Sequence, residues 1–189
     1  MGQEGVGVFR NDDEAEVSCP LFPPNYATSA QARAEFHALD LQIKSAFGDS
    51  YGLGKMIYEP STGGTVLHYN WSMNRGQVRQ IYNKFLSEFY GDIDRSRTSD
   101  EKLWAIAKLH QRLEWLHPVR DGTSRTSIAL MNKNLTDCGF HPAILEFPHV
   151  SSSLSLGEWK AYLQAGLLKW EWYQARWEKY QAVFHPGMS

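Results

Sequence analysis

Two short tetrads constrain this chain more than any other feature: Thr98-Ser99-Asp100-Glu101 and Ser155-Leu156-Gly157-Glu158. Each sets a hydroxyl three residues ahead of a glutamate, so that the two side chains satisfy first-turn amides reciprocally. Each also stands before apolar residues at helical spacing. After the first tetrad come Leu103, Ile106, Ala107, His110, Leu113 and Leu116, until Pro118 stops the helix. After the second a helix runs to about Phe184, with Trp170, Tyr173, Trp177 and Tyr180 along one stripe. That spacing is the spacing of a buried face, so the stripe is expected in the core; Trp172 falls off it and marks a candidate exposed patch for a partner.

The rest of the chain repeats the pattern. Thr28 to Phe47 carries Phe36, Leu39, Ile43 and Phe47 at helical spacing, with Gly48 as a stop. From Asn74, the positions Val78, Ile81, Phe85 and Phe89 predict a helix to about Tyr90, ended by Gly91. Ser124 to Cys138 reads as another, with Ile128, Met131 and Leu135 on one face and Gly139 as its cap. Met56-Ile57-Tyr58 and Thr65-Val66-Leu67-His68-Tyr69 flank a turn containing Gly63-Gly64, which predicts one short hairpin. The fold class is therefore all-α, a helical bundle with a small β-hairpin. Residues 1–24, with their acidic residues and paired Pro23 and Pro24, are expected to be a flexible arm, and residues 25–189 a single domain.

Composition removes several function classes. With 189 residues and 42% hydrophobic content the chain can build one core. Nineteen basic residues against 21 acidic ones give a net charge of -2, too little positive charge to neutralise a phosphate backbone, so no nucleic-acid partner is expected. Two cysteines, Cys19 and Cys138, make neither a zinc site nor a disulfide framework. No apolar run approaches the ~18 residues of a membrane span, and the opening lacks a basic start followed by an apolar stretch. The chain reads as soluble, with secretion by a signal-free route left open.

Reactive residue types concentrate in one loop, His117-Pro118-Val119-Arg120-Asp121-Gly122-Thr123-Ser124-Arg125. An imidazole at a helix end serves as a general base near neutral pH. Asp121 is a hard oxygen ligand suited to Mg²⁺ shared with phosphate oxygens. Gly122 permits close backbone approach, and the amides of Thr123, Ser124 and Arg125 then open a helix N-terminus, an anion site. Arg125 adds a forked donor for phosphate oxygens. These are the parts for attack on phosphorus, where positioning and charge stabilisation carry most of the rate. The same residues also suit a plain helix-to-helix turn, with Asp121 or Thr123 as a cap and Arg125 in a surface ion pair. His110, seven residues before His117, is either a packed, hydrogen-bonded core histidine or a ligand contact.

The loop His117 to Arg125, continued by Thr126-Ser127-Ile128-Ala129-Leu130-Met131-Asn132-Lys133, resembles the signature of the Fic proteins, the Fic/Doc group of nucleotide-dependent transferases. The resemblance covers about Thr98 to Gly139 and implies a Fic-like helical bundle whose hairpin, at about residues 53–69, is a flap. On this resemblance His117 is the base that activates a Ser, Thr or Tyr hydroxyl of a target protein. Asp121 holds Mg²⁺ between the phosphates of ATP or another nucleotide, and Gly122, Thr123, Ser124 and Arg125 form the anion hole. Leu67, His68 and Tyr69 belong to the flap that docks the target segment.

The usual family reaction transfers AMP from ATP. Other members move other phosphate-containing groups, phosphocholine among them, or act as kinases, and a degenerate member would bind without chemistry. The chain departs from the family pattern with Val119 for Phe, Thr123 for Asn, Ser124 for Gly or Lys, and Ile128 for a second arginine. Self-inhibited members carry Ser or Thr four residues before a glutamate, and no glutamate here has that neighbour. Inhibition would then need an antitoxin-like partner or be absent, as in secreted effectors. The expected setting is that of a toxin or effector, in a bacterial cytoplasm or delivered into a host or competitor cell.

Overall fold

The helix that follows the first tetrad is buried over most of its surface, leaving a partly exposed stripe of Trp104, Lys108 and Arg112. In the computed structural model, which describes residues 18–20, 30–59, 64–119 and 121–184, this helix, α3, spans Ser99–Leu116. Eleven of its 18 residues are buried, the apolar positions expected from spacing and also Ala105, Leu109, Gln111, Glu114 and Trp115. Thr98 caps it as predicted, accepting from the Glu101 amide while the Glu101 side chain accepts from the Thr98 amide. Around α3 stand α1 (Ala30–Phe47), α2 (Arg75–Arg95), α4 (Thr123–Asp137) and α5 (Leu156–Phe184), with a 3-10 turn at Pro148–Ser152. The second tetrad also forms its capping box, since Ser155 and Glu158 exchange side-chain-to-amide bonds.

Two buried polar side chains of α3 brace the segment around the 3-10 turn. Gln111 Nε2 donates to the carbonyls of Ser151 (2.8 Å) and Leu154 (2.7 Å), and Trp115 Nε1 donates to Ser152 O at 3.1 Å. These donors satisfy carbonyls of the 3-10 turn that would otherwise be stranded without water. On the opposite side Arg112 pairs with Glu88, and Lys108 with Asp92 at 2.7 Å, joining α3 to α2. Burial alone would raise the Glu88 pKa, but hydrogen bonds and charge from Lys84 and Arg112 outweigh it and hold the carboxyl below its ordinary range.

The sheet is larger than expected. Strands β2 (Gly54–Glu59) and β3 (Gly64–Tyr69) form the hairpin, and β1 (Ser18–Pro20) adds a third antiparallel strand in the order β1-β3-β2. Part of the presumed arm is thus paired, Cys19 lying opposite Leu67; the rest of residues 1–24 lies outside the described residues. Gly54 lies opposite Tyr69 with φ +118°, and a Cβ there would sit 2.0 Å from the His68 carbonyl, so only glycine lets the hairpin close. Asp40, buried on α1, accepts from the Leu53 amide at 2.7 Å and ties the hairpin to the bundle.

Two helix expectations are corrected. Gly91 does not end α2, which continues to Arg95: the interior glycine costs up to ~1 kcal/mol, and the Asp92 ion pairs with Arg95 and Lys108 together with the partly buried Ile93 offset it. The aromatic stripe of α5 is not core. Trp159 and Leu163 are fully buried, but Tyr173 and Trp177 are exposed, as is Trp172; the Tyr180 side chain lies outside the described residues. The reason is length: 29 residues make a helix of about 43 Å, against about 27 Å for α3. Its outer half therefore overhangs the bundle. Ile144, Trp170, Tyr173, Gln174, Arg176 and Trp177 line a groove there of about 440 Å³. Among the described residues no helix is long and apolar enough to cross a membrane.

His110 is packed rather than placed at a ligand. Its ring stacks on Trp159 (centroids 4.9 Å apart), and among the described residues neither ring nitrogen has a hydrogen-bond partner, which corrects the expected hydrogen-bonded histidine. Burial pushes its pKa below the ordinary value, with Glu114 opposing and His149 reinforcing that shift. In the unfolded chain the ring takes a proton near pH 6.5, and in the folded protein only at lower pH. Stability is therefore held above about pH 6.5 and lost as pH falls below it. Thermal unfolding followed by circular dichroism should show the midpoint falling from about pH 7 to about pH 5, above the range where paired carboxylates protonate. His110→Phe should flatten that slope; an unchanged slope would place its origin in another histidine.

Candidate functional site

The end of α3 and the start of α4 meet at the nine-residue loop. His117 is the C-cap of α3, its amide donating to Leu113 O at 3.0 Å. It has φ 46° and ψ 63°, and among the described residues it is the one non-glycine with positive φ. A left-handed residue at this point costs about 1–2 kcal/mol and turns the chain out of the helix. What holds the ring is aromatic: Tyr69, the last residue of β3, stacks on it with centroids 4.1 Å apart, and Trp71 meets it edge-on at 5.5 Å. Tyr69 thus contacts the candidate base itself. Leu67 is fully buried, so it anchors the hairpin and cannot present a side chain to a docking segment. His68 alternates to the other face of β3, opposite Lys55.

Past the base, the loop is closed by Thr123. Its Oγ1 donates to Val119 O (2.7 Å) and accepts from the Val119 amide (3.3 Å), and the residue is buried. Gly122 takes φ +82° at the N-cap of α4 and supplies no side-chain cap. The first helical bond is Thr126 N to Gly122 O, so the helix itself offers no acceptor to the amides of Thr123, Ser124 and Arg125. The expected anion-binding nest therefore has its backbone in place. Its hydroxyls are elsewhere: Thr123 is used by the loop, and Ser124 Oγ donates to the buried carboxylate of Glu114 at 2.8 Å. Both hydroxyl protons are thus engaged within the protein, and what the start of α4 offers an anion is backbone amide.

Asp121 and Arg125 lie at the mouth, 72% and 79% exposed, and pair with each other at 3.1 Å. This is the surface ion pair of the plain-turn reading, and neither Asp121 nor Thr123 caps α4. An exposed pair is worth under about 1 kcal/mol and opens at little cost to a phosphate or a cation. Among the described residues no group of three or more His, Cys, Asp or Glu side chains gathers to cage a metal. A lone exposed carboxylate such as Asp121 fits a Mg²⁺ whose other ligands are waters and phosphate oxygens. Arg120 lies outside the described residues. Cys138, raised in pKa by burial, is a poor nucleophile.

Trp71, Glu114 and Ser127 were missed by the sequence reading. Trp71 follows the strand and has no periodic signal, whereas Glu114 and Ser127 sit at inward-facing helical positions that spacing alone would flag as out of place for polar groups. The loop latch gives a direct test. Thr123→Val keeps the shape of the buried side chain but removes both hydrogen bonds to Val119, and should lower the unfolding free energy by about 1 kcal/mol in chemical denaturation, with Thr123→Ser close to wild type.

Compared with known proteins, residues 53–135 match the Fic/DOC family, a span running from the hairpin through α2, α3, the motif loop and most of α4. None of the curated proteins matches the chain.

Proposed function

We propose that this chain, a member of the Fic/DOC family through residues 53–135, is a Fic-type transferase that moves AMP from ATP to a Ser, Thr or Tyr hydroxyl of a target protein. The observation that carries the reading is the adjacency of a ring-clamped imidazole at the end of α3 and the N-terminus of α4, which has no side-chain cap, bridged by five loop residues with Asp121 and Arg125 at the rim.

The chain's residues divide the work. His117 takes the proton from the target hydroxyl as its oxygen bonds to the α-phosphorus, and pyrophosphate departs with the electrons of the broken P–O bond. The first-turn amides of α4 and the Arg125 guanidinium receive phosphate oxygens, where preorganised donors stabilise the charge that develops. Asp121, freed from Arg125, would hold Mg²⁺, which supplies charge neutralisation of the phosphates when bound. The stacked Tyr69 and edge-on Trp71 limit rotation of the His117 ring, so the base is positioned before substrate arrives. The hairpin face that carries the exposed Lys55 is the surface on which a target segment would lie, with His68 half-buried opposite Lys55. On the same reading, restraint comes from an antitoxin-like partner or is absent.

One observation favours a second reading. With the Thr123 and Ser124 hydroxyls turned inward and Ile128 in place of a second arginine, fixed cationic and hydroxyl donors for a triphosphate are few. That supports a donor other than ATP, or nucleotide binding without turnover. The assay that separates these uses Mg²⁺, candidate target lysate and ATP labelled at the α or the γ phosphate, with wild-type protein and His117→Ala. Label from α alone, absent in the variant, is the expected result, and Arg125→Ala should reduce it ~10²–10³-fold. Label from γ alone would make the protein a kinase, and equal label with His117→Ala would overturn the base assignment.

A further inference from the structure

Among the described residues, a buried carboxylate beneath the motif loop is held by hydroxyls and pairs with no cation. Glu114 lies on α3 three residues before His117 and is 3% exposed. Among the described residues its hydrogen-bond partners are two hydroxyls of α4: Ser124 Oγ donates to Oε2 at 2.8 Å, and Ser127 Oγ donates to Oε1. Ser127 is itself buried. Taking a carboxylate out of water costs several kcal/mol, and apolar residues of similar size usually fill such a place at no loss of stability. Packing alone therefore gives no account of a glutamate here, whereas geometry does.

The two elements that Glu114 joins are those whose relative position the reaction needs. The carboxylate is rigid on α3, one helical turn from the base, and its two oxygens grip consecutive turns at the start of α4, the turns that carry the anion-binding amides and Arg125. The positive end of the α4 dipole and the two hydroxyls together compensate its charge. We propose that Glu114 is a positioning residue: its clamp on Ser124 and Ser127 sets the distance between the His117 imidazole and the first-turn amides of α4. The proposal rests on the Fic-type reading above for its catalytic consequence. Its geometric content, a phosphate-binding turn held in place by Glu114, stands apart from turnover.

Three readouts test it on the full chain: thermal midpoint, shifts of the Thr123, Ser124 and Arg125 amides on titration with inorganic pyrophosphate, and the separate kcat and KM of label transfer. Glu114→Gln keeps an acceptor for one serine and presents an amide donor to the other, so it should stay within about threefold of wild type in pyrophosphate affinity and kcat. Glu114→Ala should bind pyrophosphate at least ~10-fold more weakly and lose ~10²-fold in kcat, the scale of a 1 Å misplacement, with KM for the target protein little changed. Should Glu114→Ala fail to fold, Ser124→Ala, which removes one contact at a half-buried position, carries the same comparison with a several-fold effect expected. A Glu114→Ala protein that is less stable yet binds pyrophosphate and turns over like wild type would reduce Glu114 to a structural role and overturn the proposal. If the wild-type chain transfers no label but binds pyrophosphate at α4 in a Glu114-dependent way, the transferase reading falls and the clamp stands; no pyrophosphate shift at α4 in the wild type sinks the clamp.

Discussion

The fold is arranged around α3, a helix that neighbours enclose on most sides and that keeps one partly exposed stripe, Trp104, Lys108 and Arg112. Such a helix must give its neighbours an apolar surface, and the polar groups it carries inward are cheapest where they find partners. In α3, Leu103, Ile106, Leu109 and Leu113 supply the packing, Gln111, Trp115 and Glu114 bind the 3-10 turn region and the start of α4, and His110 relies on its stack against Trp159. Because these bonds radiate from one rigid element, the pieces that form the candidate site inherit its coordinates. His117 ends the helix, the α4 N-terminus is clamped to it, and the hairpin that stacks Tyr69 on the imidazole is tied through Asp40 to α1. The loop then needs to supply little order of its own.

The motif loop shows how a changed residue set redistributes the same tasks. Thr123 closes the turn onto Val119, and Ser124 turns down to Glu114, so both hydroxyls are consumed in building the loop. What faces outward is backbone: three first-turn amides, with Arg125 and Asp121 at the rim in an ion pair weak enough to be exchanged for ligand. Side-chain chemistry at the mouth is therefore narrower than residue types suggest. The hydroxyl-rich sequence describes how the loop is held as much as what it holds.

Much of this was legible in the chain. The helices were readable because capping and 3.6-residue periodicity are local properties: Thr98 with Glu101, Ser155 with Glu158, and the apolar positions of α1, α3 and α4 mark their elements without reference to anything distant. The helical class and the loop as a junction followed from these. What was not legible depends on long-range geometry. Pairing of Ser18–Pro20 with β3 is a contact across some fifty residues and has no local signature in a three-residue strand. The same limit hid Trp71 at the base and the inward turn of Ser124, since a hydroxyl's direction is set by whichever acceptor lies nearest. The aromatic face of α5 misled for a different reason: periodicity records that a face is apolar, and says nothing of whether a neighbour reaches it.

That overhang has a consequence for how the molecule opens. The inner part of α5 is locked where Ile144 donates its amide to the Gly166 carbonyl at 3.0 Å, in a crossing so close that a methyl group on Gly166 would meet Leu145 at 2.6 Å. Beyond it the helix keeps its hydrogen bonds with little tertiary support, so its amides trade hydrogen for deuterium from the outer end inward. Inward of the point where Lys169 pairs with Glu146 and Leu167 packs on the core, exchange should slow, while amides of α3 wait for global unfolding. One helix thus spans two levels of protection, with the boundary set by where the bundle beneath it ends.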